Sequence, residues 1–231
     1  MDNPVWKVYQ AIQQKNISTF DKAECPSVNT VPNKEYKMPV TVSLQHVTRE
    51  DVHRLRDWLE NDEIVESWFG RYSYGDPAHL GYHPERVANI ADEQWNAVFE
   101  DPEHRIMSVY TREGEHIGEL HVAIEEALAD GQISILIGRK DKWHEGYGTA
   151  AIKAGLQLCF NEWTLYRVWA DIPEYNTHAL AMFEHLGFKH EGTLRQSRPH
   201  EGARFDSVVV GILATEYAAQ SSQHAQRSHH V

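Results

Sequence analysis

The residues best suited to chemistry in this chain stand in "KWHEGYGTAAIK", residues 142–153, between an apolar run, "ISILIG", and a helical pattern. Two glycines one residue apart at a helix start suit a phosphate, because exposed N–H groups and the positive end of the helix dipole meet there. Gly146 and Gly148 carry no β-carbon, so an anion can approach the main chain closely. Several phosphate-binding patterns compete. A P-loop requires Gly, four residues, then Gly-Lys-Ser/Thr, and the chain has no such run. The dinucleotide fingerprint G-x-G-x-x-A is met by Gly146, Gly148 and Ala151, with Asp171 ending the next strand. In that fold, however, the strand runs almost directly into the first glycine. Here residues 138–145 intervene, with charges and a tryptophan, and the surroundings supply only one βαβ unit.

These glycines need a strand before them, a helix behind them and a sheet to hold both. "PVTVSLQHV" alternates like a strand. "TREDVHRLRDWLEN" begins with the N-cap Thr48, has Asp51 at the capping-box position and repeats Val52, Leu55 and Leu59 at helical spacing. "DEIVESWFG" predicts a second short helix ending at Gly70, and a third is expected from Pro84 to about Phe99. Between them, "RYSYGDPAHLGYHP" is a loop rich in aromatic and turn residues. The period then changes to two strands about a turn at Gly114, followed by "GQISILIG" as a third. Helix, strand "YRVWADI", helix "NTHALAMFEHLGF" and a hairpin turning near Glu201-Gly202 complete the chain. The order describes one α/β domain with a mixed, mostly antiparallel sheet and a single parallel crossover. Its expected span is 39–217, with an N-terminal extension over 1–38 and a disordered tail over 218–231.

Bulk composition narrows the function. The 231 residues hold 22 Lys+Arg against 34 Asp+Glu, a formal charge of −12. That balance disfavours nucleic acid, which requires basic patches, and favours the approach of a cationic substrate. Two cysteines, Cys25 and Cys159, lack metal-ligand spacing and fit a reducing cytoplasm. The fifteen histidines are scattered without an HExxH helix, so no metal site is expected, and no apolar run suggests a membrane span.

Read together, the motifs resemble the GNAT N-acetyltransferases over roughly residues 105–213. "ISILIGRKDKWHEGYGTAAIKAGLQLCF" is similar to that family's strand, pyrophosphate loop and helix, with Trp143 at the place usually held by Arg or Gln. "YRVWADIPEYNTHALAMFEHLGFKHEGTLR" and "GARFDSVVVGIL" resemble the later strands and helix of the branch that acetylates protein N-termini and related amines. "DWLENDEIVESWFG" resembles the N-terminal helices of that branch, of aminoglycoside 6′-N-acetyltransferases and of siderophore lysine acyltransferases. The resemblance implies a GNAT fold whose sheet splays at an acyl-CoA site, with acetyl-CoA as co-substrate. Trp143, His144, Glu145, Gly146, Tyr147, Gly148 and Thr149 would form the phosphate loop. Leu136 and Ile137 would hydrogen-bond pantetheine like an added strand and supply an oxyanion donor. Asn176 would contact the pantetheine arm or cap its own helix, and Phe183 would lie near the sulfur.

Acetyl transfer to an amine also calls for a proton acceptor and, for the leaving thiolate, a donor. Glu119, Asp171 and His121 are the candidate bases, Glu119 having a solvent-facing strand position as its structural alternative. The resemblance places Phe183 where many members carry the acidic Tyr, which leaves Tyr175 or a water for that role. Trp68, Tyr72, Tyr74 and Tyr82 would wall the acceptor pocket or pack in the interior. The acceptor is expected to be a protein N-terminus or a small cationic amine, met by a cytoplasmic monomer or homodimer. A CoA-binding regulator without turnover is the rival reading.

Overall fold

The stretch "VSLQH" forms strand β1, Val42–His46, in a computed structural model that describes residues 40–68 and 82–228. Helix α1, Arg49–Leu59, starts on the expected capping box: the Thr48 hydroxyl accepts from the Asp51 N–H, and the Asp51 carboxylate accepts from the Thr48 N–H. Helix α2, Asp62–Trp68, follows, with the Asn61 side chain accepting from the Glu63 N–H at 3.1 Å. The single helix expected from Pro84 to Phe99 is broken into α3, Pro84–Val87, and α4, Asp92–Phe99. An unbroken helix would give the Ala88 carbonyl to the Asp92 N–H. The Arg49 guanidinium takes that carbonyl at 3.2 Å and pairs with Asp92 at 2.8 Å, and Ala91 turns extended.

Strands β2, His104–Thr111, β3, His116–Glu125, and β4, Asp130–Ile137, form an antiparallel meander, its first turn eased by Gly114 at φ +83°. Helix α5, Tyr147–Gln157, runs on into a π-helical turn at Leu158–Glu162 and returns the chain to β5, Arg167–Pro173. Then come α6, Thr177–His185, the hairpin β6, Lys189–His200, with β7, Ala203–Leu213, and α7, Ala214–Ser228. Glu201 and Gly202, at φ +48° and +78°, make the hairpin turn, in the left-handed conformation such tight connections favour. The seven strands lie in the order β1-β2-β3-β4-β5-β7-β6, parallel only between β4 and β5.

Each face of the sheet has its own apolar layer. On one, Leu120, Ile133 and Val168 pack with Ala151, Ile152 and Leu156 of α5. Gly155 lets that helix sit close, since a β-carbon there would come within 2.9 Å of Leu120. On the other, Val52, Leu55, Ile64, Tyr82 and Leu136 gather under α1 to α4. The tail expected to be disordered from 218 is instead helical to Ser228. Tyr217 stacks on Phe160 at 4.9 Å, and Glu216 accepts from the Leu213 N–H and from Lys189. Those contacts anchor the first turn of the helix, from which the tail continues.

Candidate active site

The site begins where the parallel pair comes apart. β4 and β5 pair only at Asp130–Arg167, Gly131–Val168 and Gln132–Trp169, although both strands continue well beyond. Strand parity says which backbone groups face the opening. The Gly138 N–H donates to the Ile117 carbonyl at 2.9 Å, so the alternate pairs Glu119–Leu136 and His121–Ser134 are the hydrogen-bonded ones. Residues of opposite parity point towards β5, as the Tyr166 N–H bond to Ala129 O confirms at 2.7 Å. Ile135 and Ile137 therefore turn their N–H and C=O groups into the gap. Leu136 does not: its backbone is spent on Glu119, which corrects its expected role as a pantetheine or oxyanion partner. The Ile137 carbonyl also accepts from the Trp143 indole N–H at 2.7 Å.

A cleft of about 440 Å³ occupies the opening. Among the residues expected to hold a cofactor, Leu136, Ile137, Trp143, His144, Gly146, Gly148, Thr149, Asn176 and Phe183 line it, as does Asp171. Glu145 and Tyr147 are not on its wall; the Tyr147 ring instead lies under Lys142 and against the apolar core. Gly146 is the N-cap of α5 at φ +96°, and His144 is also left-handed at φ +60°. These two reversals bring the loop across the helix start, where the first N–H groups of α5 have no carbonyl within the helix to accept them. Gly146 is thus required first by its backbone angle, and the nearest atom to a β-carbon there would be Val40 at 3.8 Å. Asn176 caps α6, its side chain accepting from the Ala179 N–H at 3.1 Å, while also bordering the cleft. Phe183 is buried, packed edge-on against Phe188 at 4.8 Å.

The candidate bases separate cleanly. Glu119 is wholly buried, not solvent-facing. Its Oε1 accepts from His121 Nε2 at 2.5 Å and its Oε2 from the Tyr82 hydroxyl at 2.7 Å. Burial and then the Glu119 charge push the Tyr82 phenol well above its ordinary value, so it stays a donor to the carboxylate. Cross-strand pairing puts Glu119 and His121 on the same face as Leu136 and Ser134, both of which line the cleft. Asp171 shares that face but is tied to the Arg198 guanidinium and the Ser207 hydroxyl. Burial pushes the Asp171 carboxyl up to about 6 and the Arg198 guanidinium down. Tyr175, the expected substitute acid, is not among the residues lining the cleft; its ring is stacked on His200 at 4.2 Å and edge-on to Phe205. Of the expected acceptor wall only Tyr82 has a described side chain; Tyr72 and Tyr74 lie outside the described residues, as does the Trp68 indole.

Several cleft residues had no sequence signal of their own, among them two polar ones. Ser134 and His178 enter through strand parity and helix position, which become visible only when the chain is folded. Among the described residues, no group of three His, Cys, Asp or Glu is placed to hold a metal, and no helix is long and apolar enough to cross a membrane.

Comparison with known proteins meets this geometry from outside. The profile of the acetyltransferase (GNAT) domain matches residues 41–189, more than half of the chain. The aminoglycoside N(6′)-acetyltransferases type 1 of Klebsiella pneumoniae and of Serratia marcescens are each 24% identical over 156 residues, covering 67% of this chain and 77% of theirs. The solved spermidine N-acetyltransferase from Vibrio cholerae, in complex with CoA and spermine, superposes with a TM-score of 0.63 at 19% identity, over 77% of this chain and 98% of that one. That structure carries the fold, and the profile carries the family. The chain is therefore a member of the GNAT acetyltransferase family, an N-acetyltransferase.

Proposed function

We propose that this protein transfers the acetyl group of acetyl-CoA to a primary amine of a small cationic acceptor. The observation that carries the reading is the splay: Ile135 and Ile137 offer strand-like backbone groups to the cleft, and no β5 residue pairs with them. Pantetheine is an amide chain and fits such an edge as a further strand would. The loop from His144 to Thr149 presents helix-start amides to the diphosphate. Acetyl-CoA supplies a thioester carbonyl open to attack and a thiolate able to leave. The N–H groups of Ile135 and Ile137 are the donors available to polarise that carbonyl.

The Glu119–His121 pair is the group best suited to receive the proton of the attacking amine. Tyr82 and His121 hold the carboxylate at both oxygens, which fixes the imidazole beside Ser134 and Leu136. Phe183 offers no proton, and a thiolate of ordinary pKa, near 8.5, leaves tolerably without one. A small cationic acceptor is supported by the formal charge of −12 and by relatives named for aminoglycosides and spermidine. Peptide N-termini, suggested by the sequence resemblance, belong in the same panel. The test follows free-thiol release from acetyl-CoA with aminoglycosides, polyamines and N-terminal peptides. Release that depends on a polyamine or aminoglycoside is expected. Release only with peptides would move the acceptor to protein N-termini, and CoA binding without turnover on any amine would make the protein a CoA-binding regulator.

A further inference from the structure

The cleft of a chain this acidic must still attract a cofactor rich in phosphate, and its own charged groups are few. The titratable side chains lining it, among the described residues, are Lys142, His144, Asp171 and His178. Asp171 is paired with Arg198. The Lys142 ammonium is 3.1 Å from a Glu115 carboxylate oxygen and 3.9 Å from one of Asp141, so much of its charge is answered within the protein. Trp143, at the head of the loop motif, spends its one side-chain donor inward on the Ile137 carbonyl. Two imidazoles remain. His144 stands just before α5, held outward by its left-handed backbone, and His178 is in the first turn of α6. Both rings are exposed, both line the cleft, and their centroids are 4.5 Å apart at an interplanar angle of 53°.

We propose that His144 and His178 form a paired imidazole grip on the diphosphate of CoA, one ring from each helix start that borders the cleft. This rests on the reading of the cleft as the acetyl-CoA site. An imidazole donates one N–H when neutral and two when protonated, so the pair meets phosphate oxygens in either state. Two helix N-termini lie behind the rings and favour the same charge. Asn176 at one of them is occupied in capping and leaves the outward-facing role to His178.

The experiment measures Kd by calorimetry for CoA and dephospho-CoA, on the parent, His144→Ala, His178→Ala and the double variant. Each single change is expected to weaken both ligands on the order of tenfold, the scale of one hydrogen bond to a charged group. Because both rings are exposed, melting temperatures without ligand should stay with the parent. His178→Arg, which keeps N–H donors at that place, should retain most of the affinity that His178→Ala loses. Equal Kd values for parent and alanine variants would overturn the grip. A loss seen with CoA but absent with dephospho-CoA would overturn the diphosphate assignment and place the rings on the 3′-phosphate. Failure of the parent to bind either ligand would sink the cleft reading itself, a result distinct from both.

Discussion

At the scale of single residues, the proposed chemistry is tested at Glu119 and Phe183. The Glu119 side chain is buried with a partner on each oxygen, so it is held in place. Glu119→Gln keeps the shape but replaces an acceptor with an amide that faces the same donors. It should lower kcat about a hundredfold, the lower range for a lost general base, and leave CoA affinity nearly intact. Tyr82→Phe removes one hydrogen bond and should cost far less in rate. Equal, small effects of both changes would assign the cluster to structure. Phe183→Tyr tests the other side of the reaction. The ring lines the cleft at 4% exposure, so a phenol O–H there enters a site that has no donor from this position. Single-turnover rates should rise several-fold with CoA affinity little changed, because the hydroxyl meets the sulfur mainly as charge develops. An unchanged rate would show that water already protonates the thiolate, and collapsed CoA binding would show that the tight packing on Phe188 admits no hydroxyl.

At the scale of elements, two helix starts are built differently, α5 at the cleft and α1 beneath the sheet. α5 depends on Gly146 at φ +96°, where an L side chain costs about 1–2 kcal/mol. Gly146→Ala should lower stability by that amount and weaken CoA by disordering the loop, although a methyl group would clash with nothing nearby. Urea midpoints and CoA titration on one variant separate the two effects. α1 depends on Asp51, which is wholly buried and accepts from the Thr48 N–H, Ser108, Tyr110 and Arg54. Burial would push this carboxyl up, but the bonds from Tyr110, Thr48 and Arg54 and the nearby His116 outweigh it and hold the group at about 2. A depressed carboxyl contributes stability that is complete above its ordinary value of 3.8 and is lost as pH falls from there towards about 2. Asp51→Asn should therefore be less stable at neutral pH and flatter through that acid window, read from urea midpoints against pH. A parallel pair of curves would mean that other carboxylates govern acid unfolding. The capping box that starts α1 was legible in the sequence because it is local, Thr48 and Asp51 being three residues apart. The contacts of Asp51 with Ser108 and Tyr110 span 57 and 59 residues of chain and left no pattern to read. The same divide runs through the site. Gly146, Gly148 and Asn176 announced themselves by motif and resemblance. The exchange of Leu136 for Ile135 as a backbone partner, and the closing of Tyr82 and His121 on Glu119, required the β2-β3-β4 register. The broken α3–α4 helix turned on an arginine more than thirty residues upstream, beyond the reach of helical periodicity.

At the scale of the whole molecule, the proposed cationic acceptor makes net charge the quantity to test. The formal charge of −12 attracts a polycation before any contact forms, and that attraction is screened over about 10 Å at 0.1 M salt and about 3 Å at 1 M. Glu119 and Asp171 lie on one face of the splayed sheet, so the field also has a local sink there, partly offset by Arg198. Raising the ionic strength should thus raise KM for a polyamine severalfold and leave kcat alone, because the Glu119–His121 cluster proposed to take the proton is buried and salt screens it weakly. A monoamine acceptor of similar reach should show a much shallower change, and the KM for acetyl-CoA should move in the opposite direction as repulsion of its phosphates is relieved. Steady-state kinetics with both acceptors at fixed pH gives all three slopes. If the polyamine KM were flat while thiol release persisted, long-range attraction would play no part, and acceptor preference would rest on contacts within the pocket.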